Sequence, residues 1–340
     1  MTSDAASSSS SSSSRQQLRC LADYAASGQP LLKLPHPYQT AYTVSKADSD
    51  KANGSRYRIR QLGPGASPLP QPLHSDALTF SEPRHLKSSD QPNGSNNTPW
   101  GRARRSPSVA VAWSGNEPVT VGHIWLLTYM IFTLRPSEEA LRLTLSGSGA
   151  ARLSSQLTAV GLAVPHPLSK DPSHARSNEL LLLRGAFWQG AGSPFGARPA
   201  WAPEEQDPDL AGFPLPPPNH IMTDEASTAM CWHPRRRAKP KPGSVVYSRH
   251  IPHLRETFSM IALDWQDEKH LDLFHTWQND PRVSQGWNET GTREQHREYL
   301  RKAHEDPHQI TILARFDDVP FAYFEVYWAK VGILCPNECV

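Results

Sequence analysis

The 340-residue sequence predicts an α+β fold built from two mixed α/β domains. Three observations support this prediction. The length suits roughly two domains of about 100–200 residues each. Strand-like and helix-like patterns alternate in two separate regions, one around 109–201 and one after about 245. A proline-rich, basic connector lies between those regions and has no core-forming pattern.

The predicted organisation has five parts, taken in chain order. They are a disordered serine-rich tail at 1–14, an N-terminal α/β domain at 15–201 with a disordered insertion at about 81–107, a proline-rich basic linker at 202–244, a partial C-terminal domain at 245–330 and a tail at 331–340.

The N-terminal domain is predicted from its hydrophobic periodicity. Alternating apolar residues predict strands in SRYRIRQL, VAVAW and LRLTLSG, and the amphipathic pattern of AARLSSQLTAVGL predicts a helix ending at Gly161. The window Val119–Leu134 is apolar over about 16 residues and includes Gly122 and His123, whereas a membrane span needs about 20. We therefore expect a buried core helix and no membrane span.

Composition argues against a nucleic-acid-binding protein. The net charge is +2 and charged residues make up 20% of the chain, so no strong field favours nucleic acid. A basic run in the linker resembles a nuclear signal or a nucleic-acid patch, but no aromatic residues are interleaved with it. We interpret it as a solvated linker, and we interpret the arginines of the 81–107 insertion as part of a solvated loop. The residues concerned are Arg235, Arg236, Arg237, Lys239 and Lys241, and Arg102, Arg104 and Arg105.

The cysteines and the N-terminus indicate a reducing compartment. The first residues have neither a basic region nor an apolar core, which a secretory signal would need. We predict a cytoplasmic protein, with a peroxisomal location open for a longer form. Cys335 and Cys339 are the only closely spaced cysteines, and two ligands without a companion pair are weak evidence for zinc. No metal is predicted.

The C-terminal region begins with the strand-like run FSMIALD. Asp267 follows as a candidate N-cap for a helix that carries Leu271, Phe274 and Trp277 on one side. The sequence Asn279-Asp280-Pro281 is expected to end this helix, because a residue before proline resists the α conformation.

A second helix and a hairpin follow in the same region. Thr292 with Gln295 three residues later is a capping-box pattern that predicts the start of an amphipathic helix. Two strand-like runs then meet at Asp317-Asp318, which predicts a hairpin.

The order strand, helix, helix, hairpin resembles the opening half of a GNAT-type N-acyltransferase. Longer motifs are more specific: FHTWQNDPRV, GW and PFAYFEVYWAK occur between Phe274 and Lys330. They resemble siderophore-biosynthesis acyltransferases of the aerobactin and mycobactin type, including the fungal hydroxyornithine acyltransferases. The segment GAFWQGAGSPFGARPAW is similar to the N-terminal domain of the fungal enzymes. The resemblance therefore implies two GNAT-like domains, the second of them incomplete.

This resemblance implies an acyl transfer from acyl-CoA to the N5-hydroxylamine of hydroxyornithine. The product would be a hydroxamate, whose two oxygens are hard ligands suited to ferric iron. Catalysis of this kind depends on proximity and on stabilisation of the developing oxyanion, with little covalent chemistry from side chains.

The candidate substrate-binding residues are Glu325, Tyr327, Trp328 and Trp287. Strand alternation puts Glu325 and Tyr327 on one face and Trp328 on the other. Glu325 could then bind the ammonium of the amino acid while Tyr327 or Trp287 covers its aliphatic stem. The alternative is that these aromatic residues belong to the sheet core and that Glu325 pairs with Arg282.

Three further groups of residues have a structural alternative. His275 and His296 suggest a general base, but histidines on amphipathic helices usually pack. Asn279, Pro281 and Arg282 are interpreted as a structural turn. Three glycines, Gly190, Gly192 and Gly196, could cradle a phosphate, but their spacing departs from the dinucleotide fingerprint and Pro194 removes a donor. A structural loop packed under Phe187, Trp188 and Trp201 is favoured there.

The catalytic residues are not predicted within this sequence. In the resembled family, a Gly-x-His segment, an acidic partner and the loop that binds coenzyme A follow the strand that ends here at Lys330. The residues after Lys330 are VGILCPNECV, so we expect these elements to be absent. We also expect the edge of the sheet to be unpaired and open to self-association. The alternative function is a non-catalytic regulatory protein that pairs with a full-length acyltransferase.

Overall fold

A computed structural model describes residues 20–47, 55–87, 97–115, 117–167, 179–195, 218–222, 230–234 and 238–327. The helices are α1 Leu21–Ser27, α2 Pro99–Arg105, α3 Val121–Leu134, α4 Ala150–Ala159, α5 Arg184–Trp188, α6 Glu268–Gln278, α7 Pro281–Trp287 and α8 Arg293–Glu305. The strands are β1 Leu32–Lys33, β2 Ala41–Ala47, β3 Arg56–Gln61, β4 Leu78–Ser81, β5 Ser108–Trp113, β6 Ala140–Ser146, β7 Ala163–Pro165, β8 Leu180–Leu183, β9 Pro218–Met222, β10 Met230–Pro234, β11 Val245–Ile251, β12 Glu256–Ala262, β13 Gln309–Phe316 and β14 Val319–Tyr327.

An eight-stranded sheet organises residues 20–195, here called the N-terminal lobe. Its strand order is β1-β2-β3-β4-β5-β6-β8-β7. Neighbours are antiparallel except β5 and β6, which pair in parallel from Ser108 opposite Arg142 to Ala112 opposite Ser146. Parallel strands need a crossover, and α3 supplies it. The predicted mixed α/β architecture of this region is therefore confirmed.

Helix α3 is buried on almost every side, as its sequence predicts. Eleven of its residues, from Gly122 to Phe132, are buried, and Leu126 and Phe132 have no exposed surface. An apolar helix without a polar face belongs in a core. Within the described ranges, the structure contains no helix that is long and apolar enough to cross a membrane.

Part of the insertion predicted at 81–107 is ordered, which corrects that prediction. Thr98 accepts a hydrogen bond from the Gly101 backbone N–H and starts α2. Arg104 at the end of this helix donates to Glu179 at 3.0 Å. The arginine is held by a carboxylate more than seventy residues away, and no sequence pattern could indicate that partner. Residues 88–96 lie outside the described part of the chain.

The C-terminal lobe, residues 238–327, contains an antiparallel sheet in the order β11-β12-β13-β14. The strand FSMIALD is present as β12, but β11 precedes it and pairs with it from Val245 to Ile251. FSMIALD is therefore the second strand of this sheet and not the first. Helices α6 and α8 pack on the sheet around a small core of Leu263, Leu271, Phe274, Leu300 and Leu313.

The helix boundaries of this lobe follow the predicted capping residues. Asp267 accepts from the backbone N–H groups of Lys269 and His270 at the start of α6. Thr292 and Gln295 form the reciprocal capping box of α8. The predicted hairpin is also present, since Asp317 and Asp318 connect β13 to β14. These three predictions are confirmed because each depends on contacts within a few residues of sequence.

The predicted linker contains structure as well. β9 and β10 form a two-stranded antiparallel ladder within it. Lys239 is not a solvated linker residue, because its Nζ donates to the carbonyls of Ala303 at 3.0 Å and His304 at 2.6 Å. A lysine at these carbonyls complements the negative end of the α8 dipole. Arg235, Arg236 and Arg237 lie outside the described residues.

The two lobes contact each other through β11. The His36 backbone N–H donates to the Ser248 hydroxyl at 3.1 Å. The Arg249 guanidinium lies over the Trp188 ring, 4.2 Å from its centroid. These contacts place β11, the edge strand of the C-terminal sheet, against the N-terminal lobe near His36 and Trp188.

Candidate functional site

Glu325 on β14 lies at the centre of a cluster of three tyrosines. The Tyr299 and Tyr323 hydroxyls donate to its Oε1 at 2.7 and 2.6 Å, and the Tyr327 hydroxyl donates to Oε2. Tyr323 and Tyr327 share a face with Glu325 because side chains alternate along a strand. Tyr299 reaches the cluster from α8. We call these four residues the carboxylate–tyrosine cluster.

Burial keeps two of the phenols in their donor form. It raises the pKa of Tyr299 above the ordinary value for tyrosine, and the hydrogen bond to Glu325 raises it further. Burial likewise raises the pKa of Tyr323, with the nearby Glu325 charge as the second cause. Both hydroxyls therefore remain protonated near neutral pH and continue to donate to the carboxylate.

Aromatic rings surround the carboxylate. Trp287, at the end of α7, is 47% exposed and its ring lies 5.8 Å from that of Tyr323. Phe274 stacks on Tyr299 at 5.6 Å and meets Tyr323 edge-on at 4.9 Å. A carboxylate beside aromatic faces suits a ligand with a cationic group and an apolar stem.

Behind this cluster, His275 and His296 contact each other through their Nδ1 atoms at 2.9 Å. His296 Nε2 also lies 3.2 Å from the Glu289 carbonyl, which can only accept. Burial lowers the pKa of His296, so it is neutral and carries one proton, which it donates to Glu289. The proton between the two rings must then belong to His275.

Asn279 connects this histidine pair to the start of α8. Its Nδ2 donates to the carbonyls of His275 at 3.0 Å and Gly291 at 3.1 Å, and its Oδ1 accepts from the Gly291 N–H at 3.1 Å. The same Nδ2 also lies 3.1 Å from His275 Nδ1, while its two hydrogens point to the two carbonyls. Asn279 holds the end of α6 against the loop that precedes α8, which is a structural role.

The predicted turn at Asn279, Pro281 and Arg282 leads directly into a further helix. Asp280 accepts from the Arg282 backbone N–H and caps a new helix, α7, in which Pro281 is the first residue. Proline is favoured at this position because its missing N–H would have no helical partner. The Arg282 guanidinium donates to Asp280 at 2.7 Å, so the predicted alternative pairing of Arg282 with Glu325 is wrong.

The structure brings Glu325, Tyr327 and Trp287 to one region of the C-terminal lobe. Trp328 lies outside the described residues. Gly190 and Gly192 belong to the other lobe, where they follow α5 with φ values of 96° and 65°. Gly196 and Trp201 also lie outside the described part of the chain.

Sequence reasoning missed Tyr299 and Tyr323. Tyr323 is two residues before Glu325, so strand alternation alone could have placed it beside the carboxylate. Tyr299 follows His296 by three residues on the inner face of α8, and helical periodicity could have indicated burial. Its specific partner on β14 could not be predicted, because that contact depends on how α8 packs across the sheet.

A family model described as the acetyltransferase (GNAT) domain matches residues 266–338. The match includes α6, α7, α8 and the hairpin that carries Glu325. It also continues past Lys330, to residue 338.

Fungal proteins resemble nearly the whole chain. The N(5)-hydroxyornithine:cis-anhydromevalonyl coenzyme A-N(5)-transacylase of Beauveria bassiana is 49% identical over 88% of this chain and 70% of its own length. The hydroxyornithine transacylase of Ajellomyces capsulatus is 46% identical over 88% and 71%. A Stachybotrys chartarum protein, provisionally named as the O-acetyltransferase SAT14, is 48% identical over 90% and 71%.

Proposed function

Because this chain belongs to the family of fungal siderophore N-acyltransferases, we propose that it transfers an acyl group from acyl-CoA to the N5-hydroxylamine of hydroxyornithine. One observation carries the proposal. Two relatives named as hydroxyornithine transacylases are 49% and 46% identical to it, each over 88% of the chain. Identity of this extent spans both lobes, so the similarity is not limited to the matched GNAT domain.

The proposed reaction is a direct acyl transfer. The hydroxylamine nitrogen attacks the thioester carbonyl, a C–N bond forms, the C–S bond breaks, and the proton lost by nitrogen goes to the leaving thiolate. A hydroxylamine nitrogen is largely unprotonated near neutral pH, so the reaction needs little help from a general base. Holding the two substrates in contact supplies much of the rate enhancement.

In this reaction, we assign the carboxylate–tyrosine cluster to acceptor binding. Glu325 is the negative group, and the three phenols hold it in one orientation. The α-ammonium of hydroxyornithine would meet this carboxylate, and the exposed ring of Trp287 would cover the aliphatic stem. An ammonium over an aromatic face is a further favourable contact.

We assign a positioning role to His275 and His296. Their Nδ1 atoms are joined by one hydrogen bond. The Nε2 of His296 donates to the Glu289 carbonyl. With both ring nitrogens occupied, His296 is a poor general base, and the same contact occupies Nδ1 of His275. The pair supports Phe274, whose ring meets His296 edge-on at 5.3 Å and stacks on Tyr299 of the cluster.

Two further parts of the proposal concern the domain arrangement and the surface. We propose that each lobe is a GNAT-like domain, because each has its own sheet and its own core. We also propose self-association along β14, which is at the end of the sheet order within the described residues. Val319 and Phe321 there are 67% and 49% exposed. The cytoplasmic location stays a prediction from the sequence.

The function is tested by incubating the protein with N5-hydroxyornithine and an acyl-CoA. We expect release of free thiol together with a product that gives the coloured ferric hydroxamate complex. Ornithine replaces hydroxyornithine in the control and should give no coloured complex. Thiol release without the ferric colour would indicate hydrolysis or acylation at another atom and would overturn the N-acyl assignment. No thiol release with any acyl-CoA would contradict the transfer itself.

A further inference from the structure

The carboxylate–tyrosine cluster leaves Glu325 with little free capacity for a cationic ligand. An ionised carboxylate has about four acceptor positions. Tyr299 and Tyr323 donate to two positions on Oε1, and Tyr327 donates to one on Oε2. About one position therefore remains, whereas an ammonium group has about three N–H donors to satisfy. An ammonium bound at Glu325 needs a further acceptor from another residue.

Glu289, in the loop between α7 and α8, is placed to supply this acceptor. Its backbone carbonyl accepts from His296 Nε2 at 3.2 Å, and Trp287 of the proposed acceptor site precedes it by two residues. Burial and the cluster's own carboxylate are the larger causes of the raised pKa values of Tyr299 and Tyr323, and the charge of Glu289 adds to both. The Glu289 carboxylate therefore lies within electrostatic reach of the cluster.

The Glu289 carboxylate is also available to a ligand. Glu289 is half-buried, and its side chain forms no hydrogen bond or ion pair with any residue that the structure describes. Two carboxylates close to each other repel, and each disfavours the charged form of the other. A cation between Glu289 and Glu325 would offset this repulsion while satisfying the remaining acceptor positions.

The positive groups on the neighbouring helices are already paired. Each arginine of α7 and α8 forms an ion pair with an acidic side chain of the same lobe. The pairs are Arg282 with Asp280, Arg293 with Glu268 and Asp272, Arg297 with Glu268, and Arg301 with Glu298 and Glu305. The described part of the acceptor site therefore presents two carboxylates to its ligand and no uncommitted guanidinium from these helices.

This distribution of charge distinguishes the two ends of an amino acid. The α-ammonium is attracted to Glu289 and Glu325, whereas the α-carboxylate on the same carbon is repelled by both. Like charges about 4 Å apart repel enough to weaken binding roughly fivefold even in water. Trp287 and Tyr327 at the rim are 47% and 37% exposed, so the carboxyl end of the ligand can extend towards solvent.

We propose that Glu289 is a specificity-determining residue that binds the α-ammonium of the acceptor together with Glu325 and selects against a free α-carboxylate. The preferred ligand is then an N5-hydroxyornithine with a free α-ammonium and an uncharged carboxyl end, such as its amide or the N-terminal residue of a peptide. This inference deepens the proposed function, on which it rests, by defining which end of the acceptor is recognised.

The test is calorimetric titration of the full chain without an acyl donor, at pH 7.0, where an α-amino group with a pKa of about 8 is mostly protonated. N5-hydroxyornithine amide is expected to bind at least about fivefold more tightly than N5-hydroxyornithine. The Nα-acetyl derivative of N5-hydroxyornithine has no ammonium and should not bind. Equal or tighter binding of the free acid, no binding of the amide, or binding of the Nα-acetyl derivative would overturn the proposal.

Glu289→Gln locates the recognition, since it keeps the size of the side chain and removes its charge. We expect roughly tenfold weaker binding of the amide, as for loss of a hydrogen bond to a charged group, and a smaller preference for the amide over the acid. Glu294 is exposed in the first turn of α8, and Glu294→Gln is the matched control that should bind both compounds like the wild type. Unchanged affinity in Glu289→Gln would remove Glu289 from the site.

Binding and transfer are measured separately. A chain that prefers the amide in the titration but forms no hydroxamate after addition of an acyl-CoA would keep the role of Glu289 and contradict the proposed function. A chain that acylates free hydroxyornithine but binds the amide no more tightly than the acid would keep the proposed function and contradict the role of Glu289.

Discussion

At the scale of single residues, the carboxylate–tyrosine cluster contains the candidate binding groups of the C-terminal lobe. Glu325 accepts from three hydroxyls, two of which come from its own strand. Such a carboxylate is fixed in orientation before a ligand arrives, which lowers the entropic cost of binding a cation. In the proposed acceptor site, the charge of Glu325 therefore matters more than its shape.

Glu325→Gln tests this charge. Glutamine preserves the size of the side chain and removes the negative charge, so we expect the KM for hydroxyornithine to rise roughly 10- to 100-fold, as for loss of a hydrogen bond to a charged group. kcat should change much less. Steady-state kinetics with varied hydroxyornithine measures both constants.

Glu298→Gln is the matched control for this variant. Glu298 is an exposed residue of α8 that pairs with Arg301, and its replacement should leave the KM unchanged. A normal KM in Glu325→Gln would remove Glu325 from the acceptor site.

The buried histidines predict a loss of stability in mild acid. Burial lowers the pKa of His296 below the ordinary value of 6.5, with the nearby His275 adding to the effect. Below pH 6.5 the unfolded chain therefore binds more protons at this position than the folded chain does. The free energy of unfolding should fall as the pH drops from 6.5 towards the lowered pKa.

Denaturant unfolding at pH 7.5 and pH 5.5 measures this dependence, with His296→Gln as the comparison. The variant should lose less stability between the two pH values than the wild type. Burial also lowers the pKa of His123, His250 and His304, so part of the dependence should remain. Identical losses in both proteins would contradict the role of His296.

At the scale of elements, caps determine where the helices of the C-terminal lobe begin. The Thr292 hydroxyl accepts from the Gln295 backbone N–H at 3.2 Å, and the Gln295 side chain accepts from the Thr292 N–H at 2.7 Å. Helix α8 then carries Tyr299 to the carboxylate. The position of a cap is therefore connected to the geometry of the proposed acceptor site.

Thr292→Ala removes the side-chain acceptor of this cap. We expect a loss of about 1 kcal/mol in the free energy of unfolding, typical of an N-cap replacement. Thr290→Ala, two residues earlier in an exposed position, is the control and should have little effect. Chemical denaturation of both variants measures the difference, and equal stabilities would show that the cap contributes nothing.

At the scale of the whole molecule, a buried ion pair joins distant parts of the N-terminal lobe. Arg142 on β6 has a side chain only 3% exposed and donates to Glu179 at 2.9 Å. Arg104 of α2 donates to the other oxygen of the same carboxylate at 3.0 Å. Glu179 precedes β8, so one carboxylate ties together a helix and two strands.

Glu179→Gln should destabilise the fold by about 3 kcal/mol, because removing one partner leaves the Arg142 charge buried without compensation. Glu139→Gln is a matched control, since Glu139 is 76% exposed where it pairs with Arg184. Exposed pairs contribute little, and this control should be nearly as stable as the wild type. Thermal unfolding of the two variants provides the comparison, and similar melting temperatures would refute the argument.

Much of the secondary structure could be predicted from the sequence. Asp267, Thr292 and the pair Asp317-Asp318 mark element boundaries through contacts a few residues away, and the structure confirms them. The buried helix α3 was also predictable, because its residues are apolar on every side. The sequence-based predictions are wrong where the structure depends on partners far away in the chain, as in α2, Lys239 and β11.

The candidate site divides in the same way. Glu325 and Tyr327 were placed on one face by strand alternation, and the resemblance of their motif indicated the family. No pattern in the sequence assigns Tyr299 to Glu325. Arg282, the alternative partner predicted for Glu325, pairs with Asp280 instead. The alternation of side chains along a strand can be predicted from the sequence. The distance between a helix and that strand depends on tertiary packing and cannot.

The sequence by itself determined the family, the capped helices and the candidate residues for the proposed acceptor site. Only the tertiary structure decided which hydroxyls surround Glu325, that His275 and His296 contact each other, and that β11 lies against the N-terminal lobe. The physical reason is the sequence separation over which each kind of interaction acts. Propensity and capping act between neighbours along the chain, whereas hydrogen-bond partners and cavities depend on packing between residues far apart in sequence.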